Sequence, residues 1–598
     1  LNVSPFGGTF VPIIHLEQVM SPTIRLTRLL FVVLSLTATP LFAQWSPDPA
    51  ANTPVCDTTG AQELPKIAQT SDGGCYVSWF DTRTGNYCVY LQRLNALGVK
   101  QWGPSGLLIS ANTQNSYIVD YDLTVDDSNY AVIVFTDIRN GGEFEPFAYR
   151  ISPAGAFVWG ANGVALSNTP SIFQANPKVV ATSDGKYVFA WIYTSSPRKV
   201  ALQRLNAAGT KLWGNDPIFL SGTGTEGLDY PDIVRSDSGS VILMMSGYSG
   251  SFLNPQNYKI YTQKLSPAAA PLWGNVPDTV YALGRVQGFF VPKLFTDGNN
   301  GAFYVWQDDR SSTNSSYSYV QHFTSTGVRL FPVNGSPGST QSGRLHNDAC
   351  VAYTPMTGET FMFWYETDAL FQSSYGVYGQ KFSAAGTPLW ADTGKVFRPF
   401  GGGQPSFINS YGKDSSAVIF FFDGVSTVNN LVKGFRIDRA GNFLWSGSIT
   451  NVSSVPSSKG RLTSAFTPGG IALLVWSDAR NDDNGIYGQK VNFDGALGNT
   501  TGVVPAGPTT AEAFSLMQNY PNPFNPSTTI RFVLSAKTKA TLTIFDMLGR
   551  EVVTLLDEET AAGEHAVSFD GARFASGMYM ARLQAGDRMQ IMKMALVK

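Results

Sequence analysis

One pattern recurs eight times between residues 93 and 499. A long polar residue and an apolar residue are followed, after three variable positions, by Gly, and after three more by an aromatic residue. The first copy reads Arg93-Leu94, Gly98, Trp102. It returns as Arg150, Gly155, Trp159; Arg204, Gly209, Trp213; Lys264, Ala269, Trp273; His322, Gly327, Phe331; Lys381, Gly386, Trp390; and Arg436, Gly441, Trp445. The eighth copy, Lys490 and Gly495, carries Asn499 where the aromatic residue is expected. Successive aromatic positions lie 57, 54, 60, 58, 59 and 55 residues apart. A period of this length marks one supersecondary unit that buries its apolar side chains only against its neighbours.

Each period holds four strand-like runs. In the first they are Lys66–Thr70, Cys75–Phe80, Tyr87–Leu94 and Leu107–Ser110, separated by turn signals such as Thr84-Gly85-Asn86. The Gly of the motif suits a turn position with positive φ. Four short antiparallel strands repeated eight times predict an all-β protein built as an eight-bladed β-propeller, with a linear solenoid as the alternative. Gln44-Trp45 matches Gln101-Trp102 one period earlier, so residues 44–56 are expected to supply the missing outer strand of the last blade. That arrangement hides the open ends a solenoid must cap.

Charged residues make up only 14% of the 598-residue chain and the net charge is −2, which excludes nucleic acid as the main partner. Residues 1–19 read as a mis-called upstream extension, and 20–43 as a secretory signal. In it, Arg25 and Arg28 precede the apolar run Leu29–Leu36, which is too short to span a bilayer. Export permits disulfides. Cys75 and Cys88, on strands joined by a short turn, are placed for a local bridge, while Cys56 and Cys350 complete a set too sparse for a disulfide scaffold.

Candidate sites fall on loops and first strands. Aromatic-x-Asp-x-Arg occurs at Trp79–Arg83, Phe135–Arg139, Trp306–Arg310 and Trp476–Arg480. It serves either as a turn cap with an Asp–Arg pair or as a ring of polar loops binding sugar or calcium. The most oxygen-rich loops carry Asp308, Asp309 and Arg310, and Asp482 and Asp483. Calcium takes six to eight oxygens, and these runs lack EF-hand spacing. No cofactor is expected, with calcium the only ion considered. Ser71-Asp72-Gly73 and Ser183-Asp184-Gly185 depart from the S-x-D-x-G-x-x-W box of sialidase propellers and read as ordinary turns. Early in the first strands stand Lys66, Asp120 or Asp122, Lys178, Asp232, Lys293 and Asp348, with alternating sign. These charges would pair across neighbouring blades around a central channel, with His346 beside Asp348 at its mouth. No GxSxG, HExxH or phosphate-binding loop is present, so no catalytic residue is assigned.

Residues 500–513 read as a linker. Beyond it come Asn522-Pro523-Phe524-Asn525-Pro526, Asp546-Met547-Leu548-Gly549-Arg550-Glu551-Val552, Ser576-Gly577-Met578-Tyr579 and a terminal Lys593–Lys598. Short alternating strands over 514–598 suit a small Ig-like β-sandwich. At these motifs the chain resembles the type A C-terminal sorting domain of the type IX secretion system. The resemblance implies export through the secretion machinery to the surface or medium of a Bacteroidota-like bacterium. The function expected is a secreted binding module for a glycan or a surface protein. Alternatives are a glycoside hydrolase or polysaccharide lyase using channel-mouth carboxylates, and a structural envelope protein.

Overall fold

The computed structural model describes residues 44–499 and 515–598, apart from short stretches at 115–119, 170, 252–253, 284–290, 311–315, 356, 427, 482–483, 518, 520–521, 535, 548, 562 and 587. The expected leader and linker lie outside the described residues. The chain forms two compact units, divided at residues 500 and 501. Both are all-β; the described residues add a single 3-10 turn, Asp237–Gly239.

The first unit consists of eight four-stranded antiparallel sheets, all but the last in strict chain order. Sheet one comprises Gln62–Gln69, Cys75–Asp81, Tyr87–Leu94 and Leu107–Gln114. Sheets two to seven cover 122–165, 174–220, 227–281, 293–337, 344–401 and 405–457. Sheet eight contains Lys459–Phe466, Ala472–Asp478 and Gly485–Val491, and its fourth strand is Thr53–Cys56 from the other end of the chain. Second strands are buried over most of their length, and over all of it in Cys75–Asp81 and Ala472–Asp478, because sheets cover them on both faces.

The repeated motif builds the same joint in every sheet. After the third strand the chain turns back through a bridge such as Leu94–Lys100 or Leu205–Lys211. The motif glycine has φ of +84° at Gly98 and +86° at Gly209, a region in which a Cβ is strained. Space forbids a Cβ as well, since one on Gly209 would lie 2.8 Å from the Trp159 ring of the preceding sheet. That indole in turn donates Nε1–H to Ala207 O at 3.0 Å. Each aromatic residue thus locks onto the next sheet's turn. Trp45 takes this role against sheet one. Its backbone N–H donates to Leu97 O at 2.9 Å, and a Cβ on Gly98 would lie 2.7 Å from its nitrogen. Asn499, in the aromatic position of the eighth copy, uses its amide to donate to the same Leu97 oxygen.

The motif's long polar residue is explained as well. Arg93, Arg150, Arg204, Lys264, His322 and Lys381 pair with Asp72, Asp126, Asp184, Asp237, Asp297 and Glu359 at the first turn of their own sheets. The Ser-Asp-Gly segments are turns whose carboxylates are engaged in this way. All four cysteines are buried free thiols. A local Cys75–Cys88 bridge, open on the sequence, is ruled out by the hairpin register, which puts Cys88 opposite Asp81, at the far end of the strand from Cys75.

The second unit pairs a three-stranded sheet (Ser515–Leu516, Ser527–Leu534, Gly563–Asp570) with a four-stranded one (Glu551–Thr560, Thr538–Asp546, Gly577–Ala585, Arg588–Leu596). Ile530, Phe532 and Phe569 of the first meet Leu542, Ile544 and Leu583 of the second in one apolar core. Phe524 of the Asn-Pro-Phe-Asn-Pro segment is buried and bridges to Leu596.

Candidate functional site

Among the described residues, six of the eight first strands carry the same irregularity. Leu64, Asn176, Tyr230, Asp348, Phe407 and Arg461 have φ of +52°, +49°, +46°, +51°, +51° and +39°. In each case the register with the second strand slips there, two residues facing one. These are β-bulges with a non-glycine residue in the left-handed region, a conformation that costs about 1–3 kcal/mol at each position. Five of the six bulge residues, all but Leu64, line a single cavity of about 710 Å³. Asp120 and Val291, at the corresponding points of sheets two and five, line it too.

Two residues beyond the bulge position stand Lys66, Asp122, Lys178, Asp232, Lys293, Cys350, Asn409 and Thr463. Sign alternates over the first five sheets and then gives way to neutral side chains. The expected sixth member, Asp348, is displaced onto the bulge, and Cys350 takes its place. Neighbouring sheets are stitched here. Lys66 Nζ lies 3.1 Å from Asp120 and 3.8 Å from Asp122, Arg461 2.6 Å from Asp120, and Lys293 2.6 Å from Asp348. The carboxylates also accept backbone N–H groups of the following sheet, Asp122 from Val179 at 3.0 Å and Asp348 from Ile408 at 2.8 Å.

Electrostatics differ between these carboxylates. Burial disfavours the charge on Asp120, but Lys66, Arg461 and Lys178 outweigh it and hold its pKa well below the usual range. Burial raises that of Asp232, with Asp122 adding to the effect and Lys178 opposing it. Lys178 itself is held cationic, since Asp232, Asp120 and Asp122 overcome its burial. Among the described residues its ammonium makes no hydrogen bond or ion pair.

The other candidates lie elsewhere. Asp308 is fully buried; its carboxylate accepts Trp306 Nε1–H at 2.8 Å and pairs with Arg310, whose Nε donates at 2.8 Å. Arg310 is further stacked on Tyr319 at 3.5 Å. The same knot recurs at Asp81 with Arg83 and at Asp478 with Arg480. Asp308 and Arg310 brace a turn in this way, with Arg310 and Asp309 both half-buried. Asp482 and Asp483 lie outside the described residues. His346 is corrected from the channel mouth to the interior. It is 0% exposed, stacked on Trp364 at 4.9 Å, and accepts Ser318 N–H at Nδ1. The bulge at Asp348 breaks the alternation that would have put the two side chains on one face. Burial pushes the His346 pKa down to about 3, and pushes that of Glu366, 3.5 Å from its ring, up to about 7. Glu366 stands in sheet six where the aspartate of the turn knot stands elsewhere. Among the described residues, no three His, Cys, Asp or Glu side chains are grouped to hold a metal ion.

Sequence reasoning missed the bulge residues Asn176, Tyr230, Phe407 and Arg461. A signal was present in three of these sheets, where Leu64-Pro65, Asn176-Pro177 and Tyr230-Pro231 put a proline inside an otherwise regular strand; Val291-Pro292 stands just before the first strand of sheet five.

Residues 518–598 match the family described as a secretion system C-terminal sorting domain. The second unit is thus a type IX sorting domain, and the chain is a secreted, cell-surface cargo. No helix of the described residues is long and apolar enough to cross a membrane. No curated protein matches the chain. Among solved structures it is similar to an ulvan lyase (TM-score 0.39, 10% identity, 77% of this chain and 97% of that one). Others are a protein of unknown function from Dyadobacter fermentans (0.31, 12%, 55% and 96%) and an endo-arabinase from Bacteroides thetaiotaomicron (0.27, 15%, 45% and 95%).

Proposed function

We propose that this protein is an exported binding module. Its eight sheets are the blades of one closed propeller, followed by an Ig-like sorting sandwich, and its ligand enters the cavity ringed by the first-strand bulges. The observation that carries the reading is the bulge ring. One strained backbone device recurs in six sheets, yet it presents Leu, Asn, Tyr, Asp, Phe and Arg. Framework positions of the same sheets largely keep their residue type: Gly stands at seven of the eight motif positions and Trp at six of eight. Constant backbone with varied side chains suits recognition, and strain persists where function requires it. The cavity volume falls within the range of small-ligand sites. A protein partner would instead need about 800 Å² of complementary surface, so a glycan is favoured over a protein.

The test is a glycan array probed with the full chain from residue 44. Selective binding, lost in Phe407→Ala and Tyr230→Ala variants of unchanged melting temperature, supports the reading. A blank array moves the weight to a structural envelope role. One observation favours a second reading, hydrolysis of the bound glycan: Asp232, whose pKa burial raises, and Asp120, held ionised by its cations, line the same cavity, as a general acid and a charge-stabilising carboxylate would. Release of reducing ends from an array hit would establish it.

A further inference from the structure

We infer that the glycan taken by this cavity is neutral, not uronic or sulfated; the inference rests on the binding reading above. Three features carry it. First, the charged ring is balanced. Lys66, Lys178, Lys293 and Arg461 face an equal number of carboxylates, at Asp120, Asp122, Asp232 and Asp348. Arg198 at the wall is neutralised by Asp229 at 2.7 Å. No net field draws in an anion, and one approaching Lys178 meets Asp232, Asp120 and Asp122, the same groups that hold the lysine charged. Alternating ammonium and carboxylate groups offer donor and acceptor in turn, which suits vicinal hydroxyls, since each can both donate and accept.

Second, a residue of the cavity wall carries a buried acceptor that lacks a donor. Gln307 lines the cavity and is 4% exposed, and its Nε2 donates to Asn347 Oδ1 at 3.2 Å. Its buried Oε1 has no hydrogen-bond partner among the described residues. A buried acceptor left unpaired is costly; a hydroxyl set against it satisfies it, while a carboxylate or sulfate at the same point is repelled. Third, Phe407, 42% exposed, stands in the left-handed region with its ring edge-on to Phe422, and Tyr230 is on the same ring of bulges. Aromatic faces of this kind take the C–H face of a pyranose or furanose without charge.

The experiment is calorimetric titration of the full chain from residue 44 with two sets of hexasaccharides. The neutral set is cello-, xylo-, manno- and arabinohexaose. The acidic set is hexagalacturonate, hexaguluronate and a chondroitin sulfate hexasaccharide. The expected result is binding of a neutral probe with affinity changed less than about twofold between 50 and 500 mM NaCl, and weakened tenfold or more by Gln307→Leu. Binding of acidic probes alone, or a tenfold fall with salt, overturns the neutral assignment and leaves the binding reading standing. Binding of none of the probes overturns both. An unchanged affinity in Gln307→Leu, with the neutral probe bound, overturns the role given to that acceptor and with it the second argument.

Discussion

Replacing Trp45 with Ala tests the joint between the two ends of the first unit. Trp45 is 1% exposed and lies in one apolar cluster with Val55 and Cys56, with Trp79 of sheet one, and with Leu473, Val475 and Ile486 of sheet eight. Truncating a buried Trp to Ala costs about 3–5 kcal/mol, because the surrounding side chains close the void only in part. For roughly 450 residues unfolding together, the unfolding entropy is about 1 kcal/mol per degree. Tm should therefore fall by about 3–5 °C, measured by calorimetry on the chain from residue 44. The loss should be localised: limited proteolysis should cut first between residues 44 and 61, releasing the strand Thr53–Cys56, while cuts elsewhere keep their wild-type rate. Trp213→Ala, at an equivalent but more exposed internal joint, should cost less and leave the N-terminal segment protected. A Trp45→Ala variant with the wild-type melting curve and proteolytic pattern would refute the reasoning, since Trp45 would then not hold sheets one and eight together.

Phe407→Gly relieves a left-handed residue while removing a half-exposed ring, so Tm should stay level or rise slightly while glycan affinity falls at least tenfold by titration; a fall in Tm of several degrees would contradict the assigned strain. Glu366 should impose a pH dependence. Its folded pKa, about 7, lies above its ordinary 4.5, so its contribution to stability is full below about pH 4.5 and is lost as pH rises through 7. Glu366→Gln, which stays neutral, should gain in Tm relative to wild type between pH 4.5 and pH 8; parallel Tm profiles would show that the carboxyl is already ionised in the fold. Removing residues 515–598 should leave the Tm of the first unit unchanged but keep the protein inside the cell, as fractionation with an immunoblot would report.

How much of this was legible in the sequence depended on range. The repeat motif is short and contiguous, so its turn, its positive-φ glycine and its four strands could be read directly. The Asp–Arg knots were legible for the same reason, since Asp81 and Arg83 are two residues apart and cap one turn. The cavity was not. Its residues sit where the pairing slips, and a slip is defined by the partner strand and not by the strand's own pattern. Alternation predicts that His346 and Asp348 share a face; the bulge separates them, burying one and lining the cavity with the other. The first strand of sheet one begins at Gln62 and not at Lys66, because Leu64 and Pro65 interrupt the alternation that announces a strand.

Sheet eight joins residues 53–56 to 485–491, and Asn52 Nδ2 donates to Gln489 Oε1 across that join at 2.9 Å. In the order of synthesis, the earliest strand of the unit must wait, unpaired, for its neighbour until every other sheet has been made. The sorting domain follows directly behind that neighbour. A polypeptide interrupted anywhere before residue 485 therefore lacks the last seam of its fold and its export address at once. Completeness of the cargo and eligibility for the cell surface are tied together by the way the chain is threaded, without a separate inspection step.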